Sequence, residues 1–227
     1  PRGPAVIEPG EPAATPGLAP QWLRKALFAS EIDDAELVAS LDRAPLDIRA
    51  NRLKSSRDAL RAELPVSGET TTAPDALRFP AGTSVETWPQ FAEGKFEVQD
   101  SGSQHACLAL GVRPGEAVID LCAGAGGKTL ALAAAMDNRG TLLACDTDRG
   151  RLQRLPPRAE RAGAIVETRL LNPGKELAAL ADWAGRADAV LVDAPGGVIP
   201  KPAGGSNRQT CRASPRCRRG CSISPPG

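Results

Sequence analysis

No stretch of the 227 residues approaches the roughly 18 consecutive apolar residues that a membrane-spanning helix needs. No basic segment followed by an apolar core marks a signal peptide either, so neither membrane insertion nor secretion is expected. The sequence also lacks net charge, with 28 Lys and Arg against 27 Asp and Glu. A chain-wide basic footprint of the kind that coats nucleic acid is therefore absent. There is no internal repeat. The single histidine, His105, is remote in sequence from the cysteine-rich end. There Cys211, Cys217 and Cys221 follow a spacing that matches no strong zinc pattern, and no metal is expected. The first residue is Pro1 rather than Met, so the native start is expected upstream.

What is present is enough for a folded chain. Hydrophobic residues make up 41%, which supports a core and argues against wholesale disorder. The charge balance conceals a division. The last 32 residues, from Gly196, hold six Lys and Arg and no acid; residues 1–195 hold all 27 acids and the remaining 22 bases. Cys107, Cys122 and Cys145 lie in apolar surroundings and read as reduced thiols of a cytoplasmic protein.

Residues 1–20, rich in Pro, Gly and Ala, read as a flexible lead-in. Helices are expected from Pro20 and, capped by Asp33, over Asp34 to Leu41. Ala44 to Asn51 alternates as a strand, Ser55 or Ser56 can cap a helix over Arg57 to Leu64, and Ala76 to Phe79 reads as a strand. Residues 21–90 thus form an expected α+β domain. From Phe91 the pattern changes. A helix approach over Val98 to Leu110 leads to the apolar run Glu116 to Cys122, then a glycine turn and a helix from Thr129 to Ala135. Strands follow at Thr141 to Cys145, Ile165 to Leu170 and Ala187 to Val192, separated by helices, with Pro156-Pro157 interrupting or ending the one from Arg149. Strands alternating with helices give an α/β fold with a parallel, Rossmann-like sheet over residues 91–195.

The turn after the first of these strands is Asp120-Leu121-Cys122-Ala123-Gly124-Ala125-Gly126-Gly127-Lys128-Thr129. Glycines between strand and helix let backbone approach a ligand, and the helix start presents free N–H groups. A phosphate-binding loop would need glycine where Cys122 stands. A dinucleotide fingerprint would separate Gly126 from Gly127. A tight turn without a ligand is a further reading. An S-adenosyl-L-methionine loop fits best, with a carboxylate, Asp146, ending the next strand where a ribose would lie; Asp146 can also be read as a helix cap or turn residue.

These residues resemble the RsmB/Nop/Sun RNA 5-methylcytosine methyltransferases, in their bacterial RsmB-like branch. Asp120 to Thr129 resembles the family's D-L-C-A-x-x-G-G-K-T loop. Phe96-Glu97-Val98-Gln99-Asp100 with Ser103-Gln104 resembles its F-x-V-Q-D…S-Q segment, and Asp193-Ala194-Pro195 the start of D-A-P-C-S-G. Pro45 to Asn51 resembles P-L-x-x-R-x-N more weakly. The resemblance implies a class I methyltransferase domain preceded by a small RNA-binding-type domain, acting in the cytoplasm as a monomer on rRNA or tRNA. It implies that the backbone from Cys122 through Ala123, Gly124, Ala125, Gly126 and Gly127 to Lys128 cradles the methionine part of the cofactor. It further implies that Asp146 holds the ribose, that Asn172 stands near the adenine where the family usually has Asp, and that Asp193 borders cofactor and target base. Arg49, Asn51 and Lys54 are expected to help hold RNA, or else to form a solvated strand edge.

Carbon 5 of cytosine is a poor nucleophile until a thiolate adds to carbon 6. In the family one cysteine follows Asp-Ala-Pro and a second, in a later T-C-S motif, is the nucleophile. Here Gly196 follows Pro195, and Thr210-Cys211 and Cys221-Ser222 lack the strand that should precede T-C-S. No catalytic residue is therefore assigned, and a chain without turnover is expected. The alternatives are a noncatalytic cofactor- or RNA-binding remnant and a methyltransferase acting on another atom. Back-translated with GC-rich codons and displaced by two bases, residues 196–226 permit an amphipathic helix that resembles the family's continuation. The basic tail is accordingly expected to be out of frame.

Overall fold

The computed structural model describes residues 19–41 and 44–194. The expected lead-in before residue 19 and the basic tail lie outside them. Two compact units divide at Ala44 and Pro45. In the first, α1 (Gln21–Ala29) and α2 (Asp34–Leu41) are joined by an ion pair between Arg24 and Asp34. The Glu36 amide donates to Asp33 Oδ1 at 2.9 Å, so Asp33 is the expected cap.

The second unit begins with an antiparallel sheet in the order β2-β3-β1-β4. Its strands are β1 (Leu46–Ala50), β2 (Glu69–Thr70), β3 (Ala76–Phe79) and β4 (Phe96–Val98). Ser56, not Ser55, caps the intervening α3 (Arg57–Glu63), accepting from the Ala59 amide at 3.2 Å. Ile48, Leu60, Leu77, Phe79 and Phe96 bury one face. Trp88 lies edge-on to Phe79 at 5.3 Å between centroids. The sheet runs past the boundary expected at residue 90, because β4 pairs with β1 through Ile48 opposite Val98 and Ala50 opposite Phe96. A short helix, α4 (Pro89–Ala92), returns the chain to that edge. The two helices of residues 21–41, which pattern reading joins to this sheet, belong to the other unit.

After α5 (Ser101–Leu110) comes the parallel sheet, in the order β7-β6-β5-β8. Its strands are β5 (Ala117–Asp120), β6 (Thr141–Asp146), β7 (Glu167–Leu170) and β8 (Ala189–Leu191), and all three pairings are parallel. Apolar strands covered on both faces suit this arrangement. One face packs Val118 and Leu142 against Leu132 of α6 (Gly127–Ala135); another cluster joins Ile119, Leu143 and Cys145 to Trp183. This is a Rossmann-like architecture, with the order reversing at β5 and β8. The expected helix from Arg149 splits into α7 (Arg149–Leu152) and α8 (Leu155–Ala162). Pro156 and Pro157 open the second helix, since a first turn has no use for the N–H groups they lack. After β7 the chain forms α9 (Glu176–Ala179) and a 3₁₀ turn over Ala181–Trp183.

Candidate functional site

A cavity of about 620 Å³ opens at the C-terminal ends of β5 and β8. One wall is the glycine turn and the first residues of α6; the other comes from Val98, Gln99, Asp100 and Ser103, where the antiparallel sheet passes into α5. A volume of this size suits a small-molecule ligand.

The loop is held in shape by bonds to neighbouring elements. The Ala123 amide donates to the Cys145 carbonyl at 2.8 Å, and the Gly124 amide to Asp146 Oδ2 at 2.7 Å. Asp146 Oδ1 accepts the Asp148 amide at 2.7 Å. Asp146 is buried and is not on the cavity wall; two of its lone-pair sites hold backbone. Gly126 has φ +88°, and a Cβ there would lie 2.2 Å from Leu155 Cδ1, so both backbone conformation and space require glycine. Gly127 then begins α6, whose first-turn amides have no helical partners.

Lys128 turns back across the opening. Its Nζ lies 2.6 Å from Asp193 Oδ2 and donates to Ser103 Oγ at 3.2 Å. Arg151 stands over Gly124 on the cavity wall. Asp100 caps α5 by accepting the Ser103 amide at 2.8 Å. Burial pushes its carboxyl up, but the Ser103 bonds and the Lys128 charge outweigh this and hold it below the usual range. Beneath the loop, Asp120 is 1% exposed and accepts from Thr129 Oγ1 at 2.6 Å, while its Oδ1 has no partner. Burial pushes its carboxyl up to about 6 against the Thr129 bond.

The expected cofactor set is only partly brought together. Cys122, Ala123, Ala125, Gly127, Lys128 and Asp193 line the cavity. Asn172 is exposed in the turn after β7, away from the cavity wall. Reading by pattern assigned no role to Gln99, Asp100, Ser103 or Arg151. For the first three a signal existed in the Val98-Gln99-Asp100…Ser103 segment; Arg151 carried none.

Arg49 and Asn51 are buried rather than set on an outward face or a solvated edge, whereas Lys54 is exposed. Arg49 is 5% exposed and donates from Nε to Gln99 Oε1 at 2.7 Å, and burial pushes its guanidinium below the usual range. Asn51 Nδ2 donates to the carbonyls of Gly94 (2.8 Å) and Ala162 (2.7 Å). Lys54 Nζ donates to those of Glu93 (2.8 Å) and Arg161 (2.7 Å). The strand's polar face is covered by α5 and α8, so these groups satisfy carbonyls at a seam between the two sheets.

The thiols among the described residues are unactivated. Burial pushes Cys107 and Cys145 up to about 11 and raises Cys122 as well. A raised thiol holds little thiolate near neutrality.

Residues 107–202 match the family model described as 16S rRNA methyltransferase RsmB/F. The ribosomal RNA small subunit methyltransferase B of Xanthomonas campestris pv. campestris is 37% identical over 183 residues, covering 78% of this chain and 41% of that protein. The protein of the same name from Citrobacter koseri is 34% identical over 186 residues, covering 78% and 42%. The chain thus spans about two fifths of the length of these relatives. The crystal structure of PH0851 superposes with a TM-score of 0.69 at 31% identity, covering 81% of this chain and 45% of that one. Glycine loop, parallel sheet and relatives agree, and over residues 107–202 the chain carries a domain of the RsmB/F methyltransferase family.

Proposed function

We propose that the cavity binds S-adenosyl-L-methionine and that the chain derives from an RNA cytosine-5 methyltransferase acting on rRNA or tRNA. The observation that carries the reading is the glycine turn. Its positive-φ Gly126 admits no Cβ, its helix start offers unpartnered amides, and it opens on a cavity of suitable volume. Backbone from Cys122 to Lys128, with Ser103 across from it, would hold the methionine end. Asp146 keeps lone-pair sites for ribose hydroxyls beyond the two that hold the loop. Asp193, on the cavity wall, would separate cofactor from target base. When bound, the cofactor supplies an electrophilic methyl group. The chain's own residues bind and orient it; none of the described thiols is poised to add to a cytosine ring, and Gly196 stands where the family places a cysteine.

The chain is accordingly expected to bind S-adenosylhomocysteine without methylating RNA. Titration calorimetry checks the first part, and absence of binding removes the cofactor reading. Incubation with methyl-labelled cofactor and rRNA or tRNA checks the second, because label on carbon 5 of cytosine would refute the assignment of the cysteines. Label on an amine or a ribose oxygen would instead identify a methyltransferase that needs no thiol.

A further inference from the structure

Glu97 in β4 is a carboxylate 1% exposed, on the face of the antiparallel sheet turned toward the parallel one. Such a charge persists only if it is paired and hydrogen-bonded. Two arginines of α8 provide this. Arg158 Nη2 lies 2.7 Å from Glu97 Oε2, and Arg161 Nη2 bonds Glu97 Oε1. The two arginines then diverge. Arg161 lies 3.8 Å over the Phe91 ring and touches only the seam. Arg158 uses its other terminal nitrogen, Nη1, to donate to the carbonyl of Ala125 at 2.7 Å. Ala125 is in the glycine turn and lines the cavity.

We infer that Arg158 is a positioning residue for the cofactor loop, and that Glu97 sets its geometry from the neighbouring sheet. The guanidinium is planar, so one nitrogen fixed on Glu97 Oε2 directs the other at a defined point. That point is a carbonyl midway through a turn containing two positive-φ glycines, the residue type with the widest backbone freedom. Tying that carbonyl back reduces the conformations the turn must lose when a ligand binds. The antiparallel sheet therefore contributes to ligand affinity without touching the ligand through this pair. The reading rests on the proposal that the cavity binds S-adenosylmethionine, although the ordering of the loop does not.

The test compares the full chain with Arg158→Gln, Arg158→Lys and Arg161→Gln. Three quantities are measured: S-adenosylhomocysteine affinity by calorimetry, amide hydrogen exchange over residues 121–129, and the melting temperature. Arg158→Gln is expected to weaken binding about tenfold and to speed exchange in the loop by a similar factor. Arg158→Lys keeps a charge for Glu97 but loses the fork, and is expected to leave the loop loosened while recovering part of the melting temperature. Arg161→Gln is expected to lower the melting temperature while loop exchange and affinity stay as in the parent. Unchanged loop exchange in folded Arg158 variants would overturn the inference, as would equal loosening by Arg161→Gln, which marks a purely structural cluster. If the parent itself fails to bind S-adenosylhomocysteine, the cofactor reading falls, and the exchange data still decide the positioning role. Should Arg158→Gln fail to fold, Arg158→Lys supplies the same comparison.

Discussion

Two buried carboxylates, one in each sheet, are treated in opposite ways. Glu97 in the antiparallel sheet has a guanidinium on each oxygen. Asp120 in the parallel sheet has one hydroxyl on Oδ2 and nothing on Oδ1, and its carboxyl is pushed up to about 6. The difference follows their positions. Glu97 faces a seam whose work is to hold two sheets together, and there full satisfaction stabilises. Asp120 ends the strand beneath the glycine turn, where the polar groups of a binding site are commonly left short of partners.

The largest effect should come from breaking the saturated carboxylate. Glu97→Ala leaves two partly buried arginines without a counter-charge, and urea unfolding should show a loss of about 3 kcal/mol or more. The under-satisfied carboxylate should behave conversely. A folded pKa raised above the usual aspartate value means that the folded state holds its proton more tightly. The associated stability is complete below about pH 4 and is lost as pH rises through about 6. Asp120→Asn removes that loss, so the variant should gain about 1.4 kcal/mol on the parent between pH 5 and pH 7. A stability difference that stays constant over this range would contradict the assigned environment. Gly126→Ala, between the two regions, combines a positive φ with a contact on the buried Leu155. It should cost about 1–2 kcal/mol, read as a lower melting temperature together with weaker S-adenosylhomocysteine binding. The smallest effect should be Ser56→Ala at the start of α3, remote from both carboxylates. It should cost about 1 kcal/mol in unfolding and leave ligand binding unchanged.

A second glycine shows how closely α8 approaches the turn before β4. Gly94 has φ +71°, and a Cβ there would lie 1.9 Å from the Arg161 carbonyl. Asn51 reaches both that glycine's carbonyl and the end of α8. The resemblance gave Arg49, Asn51 and Lys54 an RNA-holding role, with a solvated strand edge as the alternative, and the alternation of β1 marks one of its faces as polar. Alternation reports polarity, not exposure. The polar face is covered by α5 and α8, so Asp47 is also buried, held below the usual carboxylate range by the Arg78 guanidinium at 2.7 Å.

The glycine turn was legible because its conformation demands particular residues within ten positions, and the parallel strands because apolar runs between helices form only where both faces are covered. Ser56 and Asp33 were legible as caps for the same local reason. Arg151 was not, because its place at the cavity depends on how α7 returns over the loop. The end of the antiparallel sheet was missed because β4 has only three residues and pairs with β1 across about fifty positions.

The sequence by itself determined the parallel sheet, the glycine turn and the family, since each rests on residues near one another along the chain. Only the tertiary structure decided that Glu97, Gln99 and Arg158 belong with the loop, that Arg49, Asn51 and Lys54 hold a seam, and that Asp120 lacks a second partner. Hydrogen bonds between residues about 30 to 110 positions apart set the loop and seam roles, and no local pattern encodes them.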